Sequence, residues 1–505
     1  MEQTNYKLKI NFLITDDNTS LINNNQPQKT STKSRLKKCR ECNRKRKNFN
    51  EIHQICHLCF KAKSVTLSGN KVIDDFIRYT LTNRYKKAGK MEFVQFDRFI
   101  NIKLISEGGF SKIYKATWMD GPISRWNDKQ QNYRRDGEMI VVLKELNDSK
   151  NIDSKQLSEL KVFYNLILQH RNHGDYNDFD NHNYTTKYFG MTQNPITQNY
   201  MIITKYYKSG NLSNYITNDF FNISWHDKLI KLLQIISGLK NIHYANIIHK
   251  DYHSGNIFID YLAIISDLGI NQSAIDNSEI YGVIPYVAPE VFQGQKYIKA
   301  SDIYSLGMIM WELMNGRKPF WDQNHDINLI IEICNGFRPP IVTNAPEGYI
   351  ELMQNCWHSD PNKRPTASDI FKIVENIIFN ESKISCFNPT KIIYSPNIGP
   401  VTTYNPGAIY KSRLLSELIG LVKSTLSNQR MILEFRHYPS INDKRIYSNC
   451  DLIENNHEND KSIKRIKLFE NGNNDYLTGF DIENNNTNYN VLNNNGKKCF
   501  LTYTL

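Results

Sequence analysis

One cation constrains the fold more than any other residue. Val141-Val142-Leu143-Lys144 sets a lysine inside an apolar strand, an unfavourable place for an ammonium unless anions meet it there. The alternative is an edge strand, from which the side chain reaches water. Fifteen residues on, Glu159 lies in a segment, Gln156 to Leu168, whose apolar positions fit a helix, and it can supply the counter-charge. A solvated glutamate is the plainer reading of that residue taken alone. Upstream, Leu104-Ile105-Ser106-Glu107-Gly108-Gly109-Phe110-Ser111-Lys112-Ile113-Tyr114 reads as strand, turn, strand, with small residues where a backbone must approach a ligand closely.

Further along stands Ile247-Ile248-His249-Lys250-Asp251-Tyr252-His253-Ser254-Gly255-Asn256-Ile257-Phe258, closely followed by Ile265-Ser266-Asp267-Leu268-Gly269. Taken in order with the turn and Lys144, these runs resemble the protein-kinase catalytic core, whose signatures are a Gly-rich loop, a strand lysine, HRDxxxxN, DFG and APE. Val287-Ala288-Pro289-Glu290 supplies the last, 21 residues beyond Gly269. Ser301-Asp302-Ile303-Tyr304-Ser305-Leu306-Gly307 and Cys356-Trp357-His358-Ser359-Asp360-Pro361-Asn362-Lys363-Arg364-Pro365-Thr366 resemble the large-lobe helix motifs of that family. Within it, the Cys-Trp and Arg-Pro-Thr motif and the absence of a large insert after Glu290 are most like the tyrosine-kinase-like group. The resemblance implies an α+β, bilobal protein-kinase fold over residues 98–378. A small five-stranded antiparallel β lobe would carry one helix, a larger lobe would be α-helical, and ATP would bind between them.

Phosphoryl transfer passes through a loose transition state, so the protein mainly positions ATP and hydroxyl and stabilises negative charge. By resemblance, Lys144 holds the α/β-phosphates while pairing with Glu159, Asp267 and Asn256 hold Mg²⁺, and Asp251 accepts or orients the substrate hydroxyl's proton. The same resemblance assigns ATP contacts to Ile105, Gly108, Ile113, Lys144, Thr204 and Tyr206, with Thr204 as the gatekeeper before the adenine-reading hinge. Gly255 fits a tight catalytic turn. Glu290 would form a buried ion pair with Arg364, and Asp302 would brace the catalytic loop.

Several positions depart from the pattern. Ser106 and Ser111 stand at the first and third glycines of the loop, and Lys250 replaces the arginine of HRD, keeping charge but losing bidentate geometry. Leu268 replaces the DFG phenylalanine, a volume-near apolar swap. The catalytic loop carries neither the lysine typical of serine/threonine kinases nor the Ala-Ala-Arg pattern of tyrosine kinases. The implied activity is ATP-dependent transfer to a protein serine or threonine in signalling. The alternatives are a dual-specificity or tyrosine kinase and a pseudokinase scaffold that binds nucleotide weakly. Ser273, Ser278 and Tyr281 are candidate phosphosites of the activation segment.

Outside this region, Cys39-Arg-Glu-Cys42 and Cys56-His-Leu-Cys59 are two CxxC pairs separated by 13 residues, a spacing that presents four thiolates to structural Zn²⁺. His53 and His57 are alternative ligands, and four free cysteines in an arm are the plain reading. Residues 35–63 would form this module, whose folding the metal would drive. Residues 1–34 read as a disordered leader, 64–97 as a linker and 379–505 as an Asn-rich, mostly disordered tail, with 15 Asn among the 57 residues from Asn449. Within that tail, Leu414, Leu415, Leu418, Ile419, Leu421, Val422 and Leu426 have helical spacing and could dock on a partner or back on the domain. The two polar inserts, Trp118 to Gly137 and Asn172 to Thr186, read as surface excursions.

The net charge of +12 is mostly local, because nine Lys/Arg against Glu41 between Lys33 and Lys47 supply +8 of it. That run admits a nuclear address, a nucleic-acid contact or a solvated face, whereas the nearly neutral remainder argues against a broadly basic binding surface. No apolar run approaches the ~18 residues of a membrane span. With no secretory leader at Met1, an intracellular protein, cytoplasmic or nuclear, is expected. Oligomeric state is not legible.

Overall fold

The computed structural model describes residues 36–83, 89–108, 111–169, 184–268, 280–385 and 390–425, together with 491–492 and 498–499. The leader, Gly109, Phe110, residues 172–183 of the second insert, Gly269, Ser273, Ser278, Leu426 and nearly all of the Asn-rich stretch lie outside the described residues. The chain divides into two compact units, 1–431 and 432–505.

The first unit opens with two short antiparallel pairs, β1 (Lys37–Lys38) with β2 (Lys45–Arg46) and β3 (Phe49–Asn50) with β4 (Ile55–Cys56), followed by α1 (His57–Ala62). Residues 64–97 differ from the expected linker, for they carry α2 (Lys71–Thr82) and β5 (Glu92–Phe93). Asn70 caps α2 by accepting from the Val72 and Ile73 amides at 2.9 and 3.4 Å. The apolar stripe Ile73, Ile77 and Leu81 is buried in one cluster with Leu160, Tyr164 and Ile167. That i, i+4, i+8 spacing is helical and sits among polar residues, so average polarity conceals it.

A six-stranded sheet follows, in the order β5, β11, β12, β10, β7, β6. Its strands are β6 (Phe99–Glu107), β7 (Ser111–Trp118), β10 (Met139–Leu146), β11 (Tyr188–Gln193) and β12 (Tyr200–Lys205). These five are antiparallel, as expected, and β5 adds a sixth in parallel to β11. Gly190 permits that addition: its φ is 145° and a Cβ there would stand 1.8 Å from the Glu92 carbonyl oxygen. The first insert folds as a hairpin of β8 (Ile123–Asn127) and β9 (Asn132–Arg135). Helix α3 (Ser158–Gln169) lies between β10 and β11 in sequence and shares the α2 cluster.

Alternation along β10 fixes where Lys144 goes. Val141 and Leu143 are buried with Ala116, Trp118, Met201 and Ile203 on one face, so Val142 and Lys144 belong to the other. Burying each of Val141 and Leu143 stabilises the sheet by roughly 1.5–3 kcal/mol, which opposes any slip that would turn Lys144 into the apolar side.

The larger lobe holds α4 (Leu212–Asp219), α5 (Trp225–Tyr244), the hairpin β13 (Ile257–Ile259) with β14 (Ala263–Ile265), β15 (Tyr281–Gly282), α6 (Pro289–Phe292), α7 (Lys299–Asn315), α8 (Ile327–Cys334), α9 (Tyr349–Cys356) and α10 (Ala367–Ser385). Helix α7 is buried along its whole length from Ser301 to Asn315, as a central helix must be, and stops at Gly316 with φ 76°. Leu268 is buried in the same core, as the swap for phenylalanine predicts.

Residues 390–425 also differ from the expected disordered tail. The Arg317 guanidinium donates to the Gly399 and Ile398 carbonyls at 2.7 and 3.1 Å, and the Tyr410 hydroxyl donates to Pro319 O at 2.8 Å. Strand β16 (Arg413–Leu414) then pairs antiparallel with β15, and α11 (residues 416–425) follows. Leu415, Ile419 and Val422 are buried in the large-lobe core. The apolar spacing therefore docks the helix back on the domain. The Asn-richness that suggested disorder belongs to residues after 449 and says nothing about this stretch. In the second unit, β17 (Val491–Leu492) pairs antiparallel with β18 (Lys498–Cys499). Among the described residues no helix is long and apolar enough to cross a membrane.

Candidate active site

Lys144 meets its anions. Its Nζ lies 3.1 Å from Glu159 Oε2 and 2.6 Å from Asp267 Oδ1, which joins three residues of β10, α3 and the loop after β14. Burial by itself would lower the Lys144 pKa, but the Asp267 and Glu159 carboxylates outweigh it and raise it, so the ammonium stays charged. The Tyr188 hydroxyl donates to the other Glu159 oxygen at 2.6 Å. Sequence reasoning missed Tyr188, since a tyrosine in an apolar strand reads as core.

The loop from His249 to Asn256 is held from beneath by Asp302 of α7, which accepts from the His249 and Lys250 amides at 2.9 and 3.0 Å and lies 2.8 Å from His243 Nε2. Its grip fixes a turn in which Lys250 has φ 71°, a left-handed backbone that a lysine adopts only when its surroundings impose it. Asp251 and Asn256 then face each other: Asn256 Nδ2 donates to Asp251 O at 2.9 Å and lies 3.4 Å from Asp251 Oδ2. Gly255 allows the turn by close approach, because a Cβ there would stand 2.7 Å from the His253 ring. The Gly255 amide donates to His253 Nδ1 at 3.0 Å, so the ring proton sits on Nε2, 3.7 Å from Asp251 Oδ1. Burial would raise the Asp251 pKa, yet the neighbouring His253 holds it below the usual value. This buried carboxyl is ionised at neutral pH.

A second register ties the two halves together. Ser266, just before Asp267, donates its amide and its hydroxyl to Asn256 O, each at 2.9 Å, and the His249 ring donates through Nε2 to Ser266 O at 2.9 Å. The residue pairs Asp251/Asn256 and Lys144/Asp267 are thus braced by one hairpin. Burial pulls the His249 pKa down, consistent with a neutral ring donating from one nitrogen.

The expected nucleotide residues cluster on the sheet beside Lys144. Ile113 stands opposite Lys144 and Thr204 opposite Val142, so the four share one face. Ile105 lies at the irregularity between Leu104 and Ser106, and the Gly108 amide donates to Ser111 O at 2.9 Å, closing the turn. Tyr206 follows β12, with the Lys115 ammonium over its ring at 4.5 Å.

At the N-terminal end, the four Sγ atoms of Cys39, Cys42, Cys56 and Cys59 lie within 4.8 Å of one another. Cys42 Sγ and Cys56 Sγ are 3.9 Å apart. A tetrahedral ion with bonds of about 2.3 Å sets its sulfurs about 3.8 Å apart, so the donor set fits zinc. His57 Nε2 is engaged by Phe49 O at 2.8 Å, and His53 stacks on Phe60. The basic run is partly engaged within the fold: Lys37 pairs with Glu51 at 2.8 Å, and Arg46 donates to Thr82 O at 3.2 Å.

Comparison with known proteins bears directly on this geometry. The family described as protein tyrosine and serine/threonine kinase matches residues 99–374. A serine/threonine-protein kinase/receptor (R831) of Acanthamoeba polyphaga mimivirus is 33% identical over 34% of this chain and 11% of its own length. Cyclic GMP-binding protein C of Dictyostelium discoideum is 28% identical over 65% of this chain and 12% of its own, and ephrin type-A receptor 5 of Gallus gallus is 30% identical over 36% and 19%. The chain thus spans a fifth or less of the length of these relatives. With a family match over more than half of the sequence, centred on a strand lysine paired to two carboxylates, the chain belongs to the protein kinase superfamily, in its tyrosine-kinase-like group.

Proposed function

We propose that the protein transfers the γ-phosphoryl group of Mg·ATP to a serine or threonine hydroxyl of a protein. The observation that carries this reading is the three-way contact of Lys144 with Glu159 and Asp267, beside the ionised Asp251. A cation held by two carboxylates is positioned to meet phosphate oxygens without a reorganisation cost. In this reading Lys144 binds the α/β-phosphates and Glu159 orients it. Ile105, Gly108, Ile113, Thr204 and Tyr206 enclose the nucleotide, and Asp251 orients the acceptor hydroxyl and takes its proton. Asp267 and Asn256 supply hard oxygen donors for Mg²⁺, which neutralises charge on the phosphates. The preference for serine or threonine is supported by the names of several relatives, such as the mimivirus protein.

The kinase domain is assigned to 98–378, and Cys39, Cys42, Cys56 and Cys59 are assigned a structural zinc ion, since four thiolates leave no open position for catalysis. Radiolabelled-phosphate transfer from ATP to a generic protein substrate, casein, tests the activity. Transfer by the full chain that disappears in Asp251→Asn is expected. Equal transfer by both forms would overturn the role of Asp251.

A further inference from the structure

Phosphotransfer makes no use of the basic run in the N-terminal module. Between residues 36 and 63, nine Lys/Arg stand against two carboxylates, Glu41 and Glu51. Both carboxylates are already engaged, Glu41 with Lys63 and Arg78, and Glu51 with Lys37. The β1–β2 register sets four of the cations in two directly opposed pairs, Lys37 with Arg46 and Lys38 with Lys45. Successive residues of a strand point to opposite faces, so the two pairs face different ways. The first pair is satisfied within the fold, by Glu51 and by the Thr82 carbonyl. The second is exposed and meets no carboxylate among the described residues. Like charges directly opposite each other destabilise a strand pair, a cost that an external anion would relieve.

A row of rings runs from this module to the β8–β9 hairpin. The exposed His53 stacks on Phe60, with centroids 5.6 Å apart and planes inclined by 24°. Phe60 meets Trp126 edge-on at 6.4 Å, and Trp126 meets Tyr133 edge-on at 5.0 Å. Two more cations lie on the row: Lys61 Nζ is 5.2 Å from the Trp126 ring centroid, and Lys90 Nζ is 5.0 Å from that of Tyr133. Neither forms an ion pair among the described residues. The Lys37–Glu51 pair joins β1 to the turn that carries His53, so the opposed lysines and the rings occupy neighbouring parts of the module. The four cysteines complete a tetrahedral donor set by themselves, which leaves His53 free of that role. An exposed ring backed by Phe60 on one face is suited to stack a flat partner on the other.

We infer that the N-terminal module and the β8–β9 hairpin form a binding surface for single-stranded nucleic acid. Lys38, Lys45, Lys61 and Lys90 meet backbone phosphates, and His53 stacks on a base. Cations alone suit any polyanion, an anionic membrane included. Rings interleaved with them favour a strand with unpaired bases, because every base offers a π-face and a lipid headgroup offers none. A duplex keeps its bases stacked within and gains only the charge contacts. None of these residues belongs to the Lys144, Asp251 and Asp267 constellation, so the inference stands apart from the kinase reading.

The test is fluorescence anisotropy of labelled oligo(U) and oligo(dT) of about 15 nucleotides with the full chain, over a salt series. Binding of either strand that weakens linearly with salt on logarithmic axes is expected. Lys38→Ala combined with Lys45→Ala should flatten that slope by about 1.4, from two phosphates at about 0.7 each. His53→Ala should weaken binding on the order of tenfold and leave the slope unchanged. All three positions are exposed, so the Tm should stay at its wild-type value in both variants. A duplex of the same length bound as tightly as the single strands overturns the stacking role. Phosphatidylserine vesicles bound in preference to the oligonucleotides would make the surface a membrane one and overturn the inference, as would binding of neither. Oligonucleotide binding that both variants leave intact overturns the assignment to this surface.

Discussion

Arg364 donates to both Glu290 oxygens, at 2.8 and 2.7 Å, and neither side chain is appreciably exposed. The Ser301 hydroxyl adds a third bond to Glu290 at 2.8 Å. This pair clips α6 to the loop before α10, below the segment that carries β15. Removing one partner strands the other as a buried charge. Arg364→Leu is expected to cost about 3–5 kcal/mol in denaturant unfolding, whereas Glu290→Gln combined with Arg364→Met should cost less than the two single changes added. Additive costs would show that the two groups do not act on each other.

Tyr188 separates support from chemistry. Its hydroxyl bond to Glu159 is buried, and Tyr188→Phe deletes it without changing shape. The expected loss is ~1–2 kcal/mol of stability with a modest fall in kcat. Lys144→Met should instead lower kcat by about 10²-fold or more, because it removes charge aimed at phosphate oxygens. Steady-state kinetics on folded variants distinguishes the two. A Tyr188→Phe enzyme as inactive as Lys144→Met would place Tyr188 in the chemistry.

What the sequence made legible follows a physical rule. Lys144 was readable because it is a polar group among apolar neighbours, a costly arrangement that implies partners, whereas Asp251, Asn256 and Asp267 were assigned through the family resemblance. The Glu290–Arg364 pair and the Asp302 brace came through the family resemblance. Two features stayed hidden for a different reason. The stripe of α2 is diluted by Asp74, Asp75 and Arg78, so residues 64–97 look like a linker. Strand β16 is two residues long, and its partner lies more than 130 positions earlier; pairing of that kind leaves no periodic signal.

Lys228 gives the stability a pH dependence. Its ammonium is buried on α5, 3.8 Å from the Phe220 ring centroid and 5.2 Å from that of Trp225, with no hydrogen-bond partner among the described residues, and burial lowers its pKa from 10.5 to about 7. Since the folded value lies below the unfolded one, the unfolded chain binds the extra proton between about pH 7 and 10.5. Stability therefore rises with pH across that window and is lowest below it. Lys228→Met should remove this dependence and stabilise the fold at pH 7 by ~1–3 kcal/mol, read as a higher Tm. A variant that keeps the wild-type slope between pH 7 and 10 would exclude Lys228 as its source.

The cysteine module is tied to the β8–β9 hairpin and to α2 by contacts that would couple a bound metal to the rest of the first unit. Glu41, between two of the cysteines, pairs with Lys63 at 2.8 Å and with Arg78 of α2 at 2.9 Å. Phe60 meets Trp126 of β8 edge-on at 6.4 Å, and the Lys61 ammonium lies 5.2 Å from the same ring. The module's own core is little more than the four cysteines with Ile55 and partly buried Phe49, Leu58 and Phe60, too small to fold without cross-links. Metal binding would then supply its folding free energy, on the order of 10 kcal/mol. Chelation of the full chain should release about one zinc ion per molecule, lower the Tm and raise amide hydrogen exchange in both α1 and α2. Cys56→Ser should reproduce the exchange pattern without chelator. Exchange that stays unchanged in α1 after chelation would mean that the four sulfurs hold their places without a metal.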